Sequence, residues 1–125
     1  MFDLLSMAVS RIKVGIAIKR PSICVPRSNL IIACLTKLVD LGYILSFKIV
    51  NERLIIVYLK YFENKPVIRQ IKRMSTPGRR LHCSYRRFRN NNVQGFLLIS
   101  TSKGIMTDQE CLFYKLGGEP LLIVA

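Results

Sequence analysis

The spacing of apolar residues predicts two helices in the first half of the chain. In residues 2–18, apolar side chains recur at helical spacing, at Leu5, Val9, Ile12 and Ile16. Pro21 ends this segment, because proline is poorly tolerated inside a helix. A second apolar stripe predicts a helix over residues 30–41, with Ser28 or Asn29 placed to cap its first turn.

Strands are predicted between and after these helices. A short apolar run at residues 23–25 predicts one strand, and alternation over residues 43–49 predicts a half-buried one. An apolar run at residues 54–62 and a further alternation at residues 67–74 continue the pattern, with turn residues between them. The first half is therefore predicted to be helix, strand and helix, followed by an antiparallel meander.

The second half begins with a turn signal, Ser75-Thr76-Pro77-Gly78. An apolar run predicts a buried strand at residues 96–99, and a final strand is predicted at residues 120–124. Between them the sequence TDQE has the form of a capping box and predicts a helix over residues 108–116, ended by Gly117-Gly118. This half should form a small sheet with one short helix.

The predicted elements define an α+β fold made of two small α/β subdomains. A chain of 125 residues is long enough for one compact unit or for two very small ones that share an interface. We expect residues 1–64 to form an N-terminal subdomain and residues 65–125 to form a C-terminal one.

The charge of the chain adds a kind of partner to this picture. Twenty Lys and Arg residues face seven Asp and Glu residues, which gives a net charge of +13. No acidic residue occurs between Glu63 and Asp108. The cations in that interval are Lys65, Arg69, Lys72, Arg73, Arg79, Arg80, Arg86, Arg87, Arg89 and Lys103. Such an imbalance is tolerated where the partner is a polyanion, so nucleic acid is the leading candidate. An anionic membrane surface is the second, although the longest uncharged run, residues 90–102, is too short and polar to cross a membrane.

The cysteines and the single histidine predict no metal site and no cofactor. The cysteines are Cys24, Cys34, Cys83 and Cys111. They lack the C-x-x-C spacing of zinc sites, and His82 has no second imidazole to join it. We expect free, mostly buried thiols in a reducing compartment.

The most distinctive polar stretch is STSKGIMTDQE, at residues 100–110. Its S-x-x-K pattern occurs in acylating serine enzymes, but that chemistry needs the serine at a helix start and the partner motifs S-D-N and K-T-G, which are absent. A Walker phosphate loop needs a glycine before the lysine, and here glycine follows it. His82 and Cys83 would point to opposite faces of a strand and cannot form a dyad. We therefore expect no enzyme activity and no catalytic residue.

Contact with nucleic acid accounts for these residues best. Hydroxyls hydrogen-bond phosphates, ribose and bases, and a lysine neutralises a phosphate. A tight loop between strand and helix would hold them rigidly. A second set of hydroxyls and cations is Ser75-Thr76-Pro77-Gly78-Arg79-Arg80, and Tyr85 offers a stacking ring beside Arg86 and Arg87. The alternative is that each hydroxyl only caps or turns the backbone.

Several stretches together resemble a known family. STSKGIMTDQE, the LGGE at residues 116–119 and the terminal LLIVA are similar to the C-terminal signature of the bacterial-type S-eight family of small-subunit ribosomal proteins. STPG at residues 75–78 resembles that family's Ser-x-Pro-Gly turn, and VPRSNL at residues 25–30 resembles its Pro-Ser-Ser-Lys-Leu region. The resemblance spans nearly the whole chain and departs from the family pattern between Gly78 and Ser100.

The resemblance implies a structural protein of the small ribosomal subunit that binds the central domain of its RNA and supports RNA folding and assembly. Residues 65–125 would contact an irregular RNA hairpin, residues 1–64 would add basic contacts, and neighbouring ribosomal proteins would be further partners. The residues expected to bind RNA are Ser75, Gly78, Arg79, Arg80, Tyr85, Arg86, Ser100, Thr101, Ser102, Lys103, Gly104, Gly118, Glu119, Arg27 and Ser28. The rival interpretation is a basic RNA-binding module unrelated to ribosomes.

The composition of the chain and the position at which the family resemblance begins indicate a cellular compartment. Enrichment in Ile, Leu, Phe and Cys, with few glycines, is typical of a divergent organellar copy. The match begins within the first few residues, which leaves no room for a transit peptide. We expect a protein made inside its organelle, the mitochondrion, with a plastid or a bacterial cytoplasm as alternatives.

Overall fold

A computed structural model of the chain describes residues 4–74, 84 and 95–125. Three helices and nine strands are found in this part of the chain. In chain order they are α1 (Leu4–Ala17), β1 (Ser22–Pro26), α2 (Asn29–Asp40), β2 (Ile44–Ile49), β3 (Leu54–Leu59), β4 (Tyr61–Phe62), β5 (Lys65–Pro66), β6 (Ile71–Arg73), β7 (Phe96–Thr101), β8 (Gly104–Thr107), α3 (Asp108–Tyr114) and β9 (Glu119–Val124). The α+β class predicted from the sequence is confirmed.

The N-terminal half packs two helices on a three-stranded antiparallel sheet. The strand order is β1-β3-β2, with α1 against β1 and α2 against β2. The apolar stripe of α1 is buried at Leu5, Val9 and Ile12, as its spacing predicts. The order helix, strand, helix and hairpin is confirmed.

The predicted third strand of the meander is wrong. Within residues 67–74 only β6 is extended, and it pairs with β9 of the C-terminal sheet instead of with β3. The predicted strand over residues 54–62 is also broken, because β4 turns back on β5 as a separate hairpin. Its two turn residues, Glu63 and Asn64, both have positive φ, as the tightest hairpin turns require.

The C-terminal half is a four-stranded antiparallel sheet in the order β6-β9-β7-β8, with α3 packed against β7 and β8. Strand β8 was not predicted: the stretch expected to be a loop from strand to helix is a hairpin, with Ser102 and Lys103 as the turn between β7 and β8. Helix α3 is also shorter than predicted. It ends at Tyr114 because Lys115 takes the left-handed conformation, with φ 55°, before Gly117-Gly118 is reached.

One apolar core runs through both halves. Ile55 and Val57 of β3 belong to the same buried cluster as Leu98 of β7 and Val124 of β9. The rings of Tyr43 and Phe96 meet edge to face across the two halves, with centroids 4.9 Å apart. The subdomain boundary between residues 64 and 65 stays a prediction.

The thiols divide by burial. Cys34 and Cys111 are buried and free, in line with the expectation of mostly buried thiols, and Cys24 is free but exposed. Burial raises the pKa of Cys34 to about 12, partly opposed by Arg73. Cys83 lies outside the described residues. In the described part of the chain, no helix is long and apolar enough to span a membrane, and no cluster of residues suits a metal ion.

Candidate nucleic-acid interface

The turn between β7 and β8 presents the polar stretch singled out in the sequence. Thr101 and Gly104 form the last pair of the hairpin, which leaves Ser102 and Lys103 as its two exposed turn residues. Gly104 has φ +111°, a conformation that side-chain-bearing residues rarely adopt. The glycine in STSKG therefore closes a hairpin and presents its hydroxyls and lysine at the tip.

Thr101 holds this turn in shape. Its Oγ1 accepts a hydrogen bond from the backbone N–H of Lys103 at 3.2 Å and donates one to the carbonyl of Gly104 at 2.8 Å. Because the Thr101 hydroxyl both donates and accepts a hydrogen bond within the turn, it stabilises the turn and positions the neighbouring residues. Among the described residues, the side chains of Ser102 and Lys103 make no hydrogen bond or ion pair. These two side chains are the ones free to contact a ligand.

The Gly118-Glu119 segment, where the chain enters β9, lies directly beside this hairpin. Ser100 of β7 is paired with Glu119 at the start of β9. A Cβ atom on Gly118 would overlap the carbonyl oxygen of Ser100, so only glycine permits this close backbone approach. The structure thus joins two motifs that are well separated in the sequence.

Helix α3 packs against β7 and β8, the two strands of this hairpin. Thr107 caps it, accepting from the N–H of Glu110 at 3.2 Å, and Glu110 accepts in return from the Thr107 N–H at 3.4 Å, so the predicted capping box is confirmed. Glu110 also forms an ion pair with Lys37 of α2 at 2.6 Å. This hydrogen bond from Lys37 is the main cause that lowers the pKa of Glu110, with burial opposing it. The acid is therefore charged and held by α2, away from the hairpin turn.

Arg27 and Ser28 are placed elsewhere, at the start of α2 next to the N-terminal sheet. The hydroxyl of Ser28 accepts from the N–H of Ile31 at 3.1 Å and caps the helix. The guanidinium of Arg27 donates to the carbonyl of Asn51 at 3.1 Å. Both predicted RNA-binding residues thus have intramolecular roles, and neither belongs to the β7–β8 hairpin turn or to the Gly118-Glu119 segment.

Six other predicted site residues lie outside the described residues. They are Ser75, Gly78, Arg79, Arg80, Tyr85 and Arg86. Their roles stay predictions from the sequence.

The sequence interpretation missed one surface. Phe113 and Tyr114, at the end of α3, are exposed and lie in edge-to-face contact. A signal was available for Phe113, because Asp108 and Cys111 are one turn apart on the buried side of this helix and Phe113 falls on the opposite side.

The site therefore belongs to a small basic α+β protein that holds a hairpin turn beside the start of a neighbouring strand and exposes a hydroxyl and a cation from that turn. A hydroxyl and a cation are the groups that contact phosphates in nucleic-acid-binding proteins.

The chain belongs to the ribosomal protein S8 family, whose profile matches residues 3–124. It is 43% identical over 123 residues to the small ribosomal subunit protein uS8m of Acanthamoeba castellanii, covering 96% of this chain and 97% of that protein. It is 38% identical over 127 residues to uS8 of Wigglesworthia glossinidia brevipalpis, covering 99% and 98% of the two chains. With uS8 of Laribacter hongkongensis the identity is 36% over 129 residues, covering 100% and 98%. The family resemblance predicted from the sequence is confirmed.

Proposed function

We propose that this protein is a structural constituent of the small ribosomal subunit that binds the central domain of the small-subunit RNA and supports its folding and assembly. It acts as a scaffold and not as an enzyme, and its partners are that RNA and neighbouring small-subunit proteins. Membership of the ribosomal protein S8 family and the names of its relatives support this role.

One observation carries the proposal of an RNA-contact site, namely the pairing of Ser100 with Glu119. It sets the exposed tip of the β7–β8 hairpin next to the Gly118-Glu119 segment, and the backbone contact at Gly118 fixes their spacing. A hairpin tip held at a fixed spacing from a neighbouring strand end can match the shape of an irregular RNA hairpin without rearranging.

Different side chains have different roles in RNA binding. Lys103 neutralises a phosphate, which contributes affinity for any RNA and makes that affinity depend on salt. Ser102 and Glu119 meet groups whose positions depend on RNA shape, so they contribute discrimination. The hairpin turn and the Gly118-Glu119 segment are kept in register by Ser100, Thr101, Gly104 and Gly118.

For location we propose the mitochondrion. The relative from Acanthamoeba castellanii is a mitochondrial uS8m, and its 43% identity exceeds the 38% and 36% of the two bacterial proteins. A plastid or bacterial source would instead be indicated if the protein sedimented with those ribosomes in fractionated extracts.

Filter binding tests the function. The wild-type protein is titrated against the central-domain hairpin of its cognate small-subunit RNA, with competitor RNA, between about 50 and 200 mM salt. We expect binding that resists competitor and a log–log salt slope of roughly −5 or steeper, as about six neutralised phosphates would give. Binding no tighter than to the competitor would overturn the proposal and leave a generic basic RNA-binding protein.

Two substitutions test the division of work. Lys103→Gln should weaken binding to hairpin and competitor alike and make the salt slope shallower by roughly one. Ser102→Ala should lower affinity for the hairpin while leaving the competitor unchanged. Lys48→Gln, which removes an exposed cation of β2, is the matched control for charge. An equal loss for Ser102→Ala on both RNAs would contradict the assigned role.

A further inference from the structure

We propose that Phe113 and Tyr114, at the end of α3, form a stacking platform for an unpaired base of the RNA that the β7–β8 hairpin contacts. The inference rests on the proposed RNA-binding function and extends the RNA-contact surface beyond the β7–β8 hairpin turn and the Gly118-Glu119 segment. It follows from exposure, position and charge.

The two rings make little contribution to the folded core. Phe113 is 79% exposed and Tyr114 is 59% exposed, and Phe113 is the most exposed large apolar side chain in the described part of the chain. Their ring centroids lie 5.0 Å apart at an interplanar angle of 85°, so each steadies the other while a face stays open. The opposite side of the helix, at Asp108 and Cys111, is buried against the sheet.

The chain path brings this pair back to the candidate interface. Helix α3 follows its cap residue Thr107, which pairs with Leu98 on β7, and the chain returns at Glu119, which pairs with Ser100. The chain therefore returns to β7 two residues closer to the hairpin turn. Lys115 directly follows the aromatic pair, and the four residue steps from it to Glu119 can span at most about 14 Å. The rings therefore lie within a few nucleotide steps of the hairpin turn and the Gly118-Glu119 segment.

The charge around the rings favours a nucleic acid over a protein. Lys115 is exposed beside Tyr114, and Lys103 is exposed at the hairpin tip. The acids of α3 are at its other end, where Asp108 is buried and Glu110 is paired with Lys37. An open aromatic face next to a cation suits a partner with flat rings on an anionic backbone, which describes unpaired RNA.

Binding assays with three variants test the platform. Phe113→Ala should lower affinity for the hairpin that contains unpaired bases by about 10-fold, and should change affinity for a fully paired duplex much less. Phe62→Ala is the matched control, since Phe62 is 71% exposed but belongs to the separate β4–β5 hairpin. Thermal melts should show both variants as stable as the wild type, because neither ring is buried.

Phe113→Trp gives a direct readout of stacking, since the chain has no other tryptophan. Its fluorescence should be quenched by unpaired RNA and not by the duplex. Hairpin-specific binding without quenching, or equal affinities of Phe113→Ala and Phe62→Ala, would overturn the platform alone. Quenching by any unpaired RNA, with no preference for the hairpin, would support stacking while overturning the proposed ribosomal target. Reduced co-sedimentation of Phe113→Ala with small ribosomal subunits, together with unchanged RNA affinity, would show that Phe113 contacts a protein and would overturn the platform.

Discussion

The hairpin turns of the two halves use their polar residues in opposite ways. Between β2 and β3, the side-chain oxygen of Asn51 accepts from the N–H groups of Arg53 and Leu54 at 2.7 and 3.0 Å, and Arg27 donates to the Asn51 carbonyl. This turn is tied into its own half of the molecule. The comparison shows that polar turn residues alone do not indicate a binding site.

The β7–β8 turn is stabilised by one residue and exposes the others. Thr101 supplies the local hydrogen bonds, and the side chains of Ser102 and Lys103 have no partner among the described residues. A turn that needs only one of its side chains for its own geometry can present the rest to a ligand. This difference is the reason to place RNA contact in the C-terminal half.

The halves also differ in how they use a buried glycine. In α1, a Cβ on Gly15 would meet the Cγ2 atom of Ile23 at 2.6 Å and the Cδ1 atom of Leu59 at 3.2 Å, which are both side chains. A Cβ on Gly118 would instead meet the backbone of Ser100. The Cγ2 methyl group of Ile23 sits on a branched Cβ and shifts only with the whole side chain, but a paired strand backbone has still less freedom.

The largest expected effect therefore comes from Gly118→Ala. We expect it to lower the free energy of unfolding by on the order of 3 kcal/mol, because the new methyl group forces β7 and β9 apart. Gly15→Ala should cost less, about 2 kcal/mol, since the Ile23 side chain has to shift but the gain in helix propensity offsets part of the crowding. Urea unfolding of both variants measures the difference.

Hairpin RNA binding extends this comparison to function. Gly118→Ala should lose its preference for the hairpin at temperatures where it is still folded, and Gly15→Ala should keep it. Equal losses of stability in the two variants would show that the Ser100–Gly118 contact adjusts as easily as side chains do.

Local patterns predicted the elements of the N-terminal half well. The stripe of α1, the Ser28 cap of α2 and the position of β2 match the prediction, and each depends on short-range sterics and burial. Likewise the capping box of Thr107 and Glu110 is a four-residue signal. The burial alternation expected along β2 is not observed, because Leu45 and Ile49 are exposed and Ile44 is buried, with a bulge between Ile44 and Ser46.

What the sequence could not supply was pairing between distant segments. Strand β6 looks like a meander strand but joins β9, since the backbone N–H groups of Arg69 and Gln70 donate to Ala125 at the far end of the chain. The register of Ser100 with Glu119 is likewise set by two strands meeting, and β8 exists because Gly104 closes a hairpin. The two motifs could be recognised from the sequence, but their contact at Gly118 needed the fold.

A smaller effect is expected at Ser28, where capping and RNA contact can be separated. Ser28→Ala should cost about 1 kcal/mol of stability, because the N–H of Ile31 loses its acceptor. Ser28→Asp keeps an acceptor and suits the positive end of α2, so its stability should match the wild type. If the residue also lies in the RNA interface, as the family resemblance predicts, the new carboxylate should weaken hairpin binding by about 5-fold. Unchanged RNA affinity in Ser28→Asp would restrict Ser28 to capping.

The smallest effect is expected at the ion pair that joins the halves, between Lys37 of α2 and Glu110 of α3. Glu110→Gln removes the charge but keeps an oxygen for the Thr107 N–H, so the capping box survives. Because both side chains are partly exposed, we expect a loss of only about 0.5 kcal/mol near neutral pH.

The pH dependence identifies this contribution. Lys37 lowers the pKa of Glu110 in the folded protein, so the stabilisation is complete above the ordinary value of 4.5 and is lost as the pH falls through the lowered pKa. The stability difference between wild type and Glu110→Gln should therefore shrink toward zero in urea titrations at progressively lower pH. It should also vanish at neutral pH in a Lys37→Gln background, which completes a double-mutant cycle. A difference that persists in that background would assign the contribution to the charge of Glu110 at the start of α3 and not to its ion pair with Lys37.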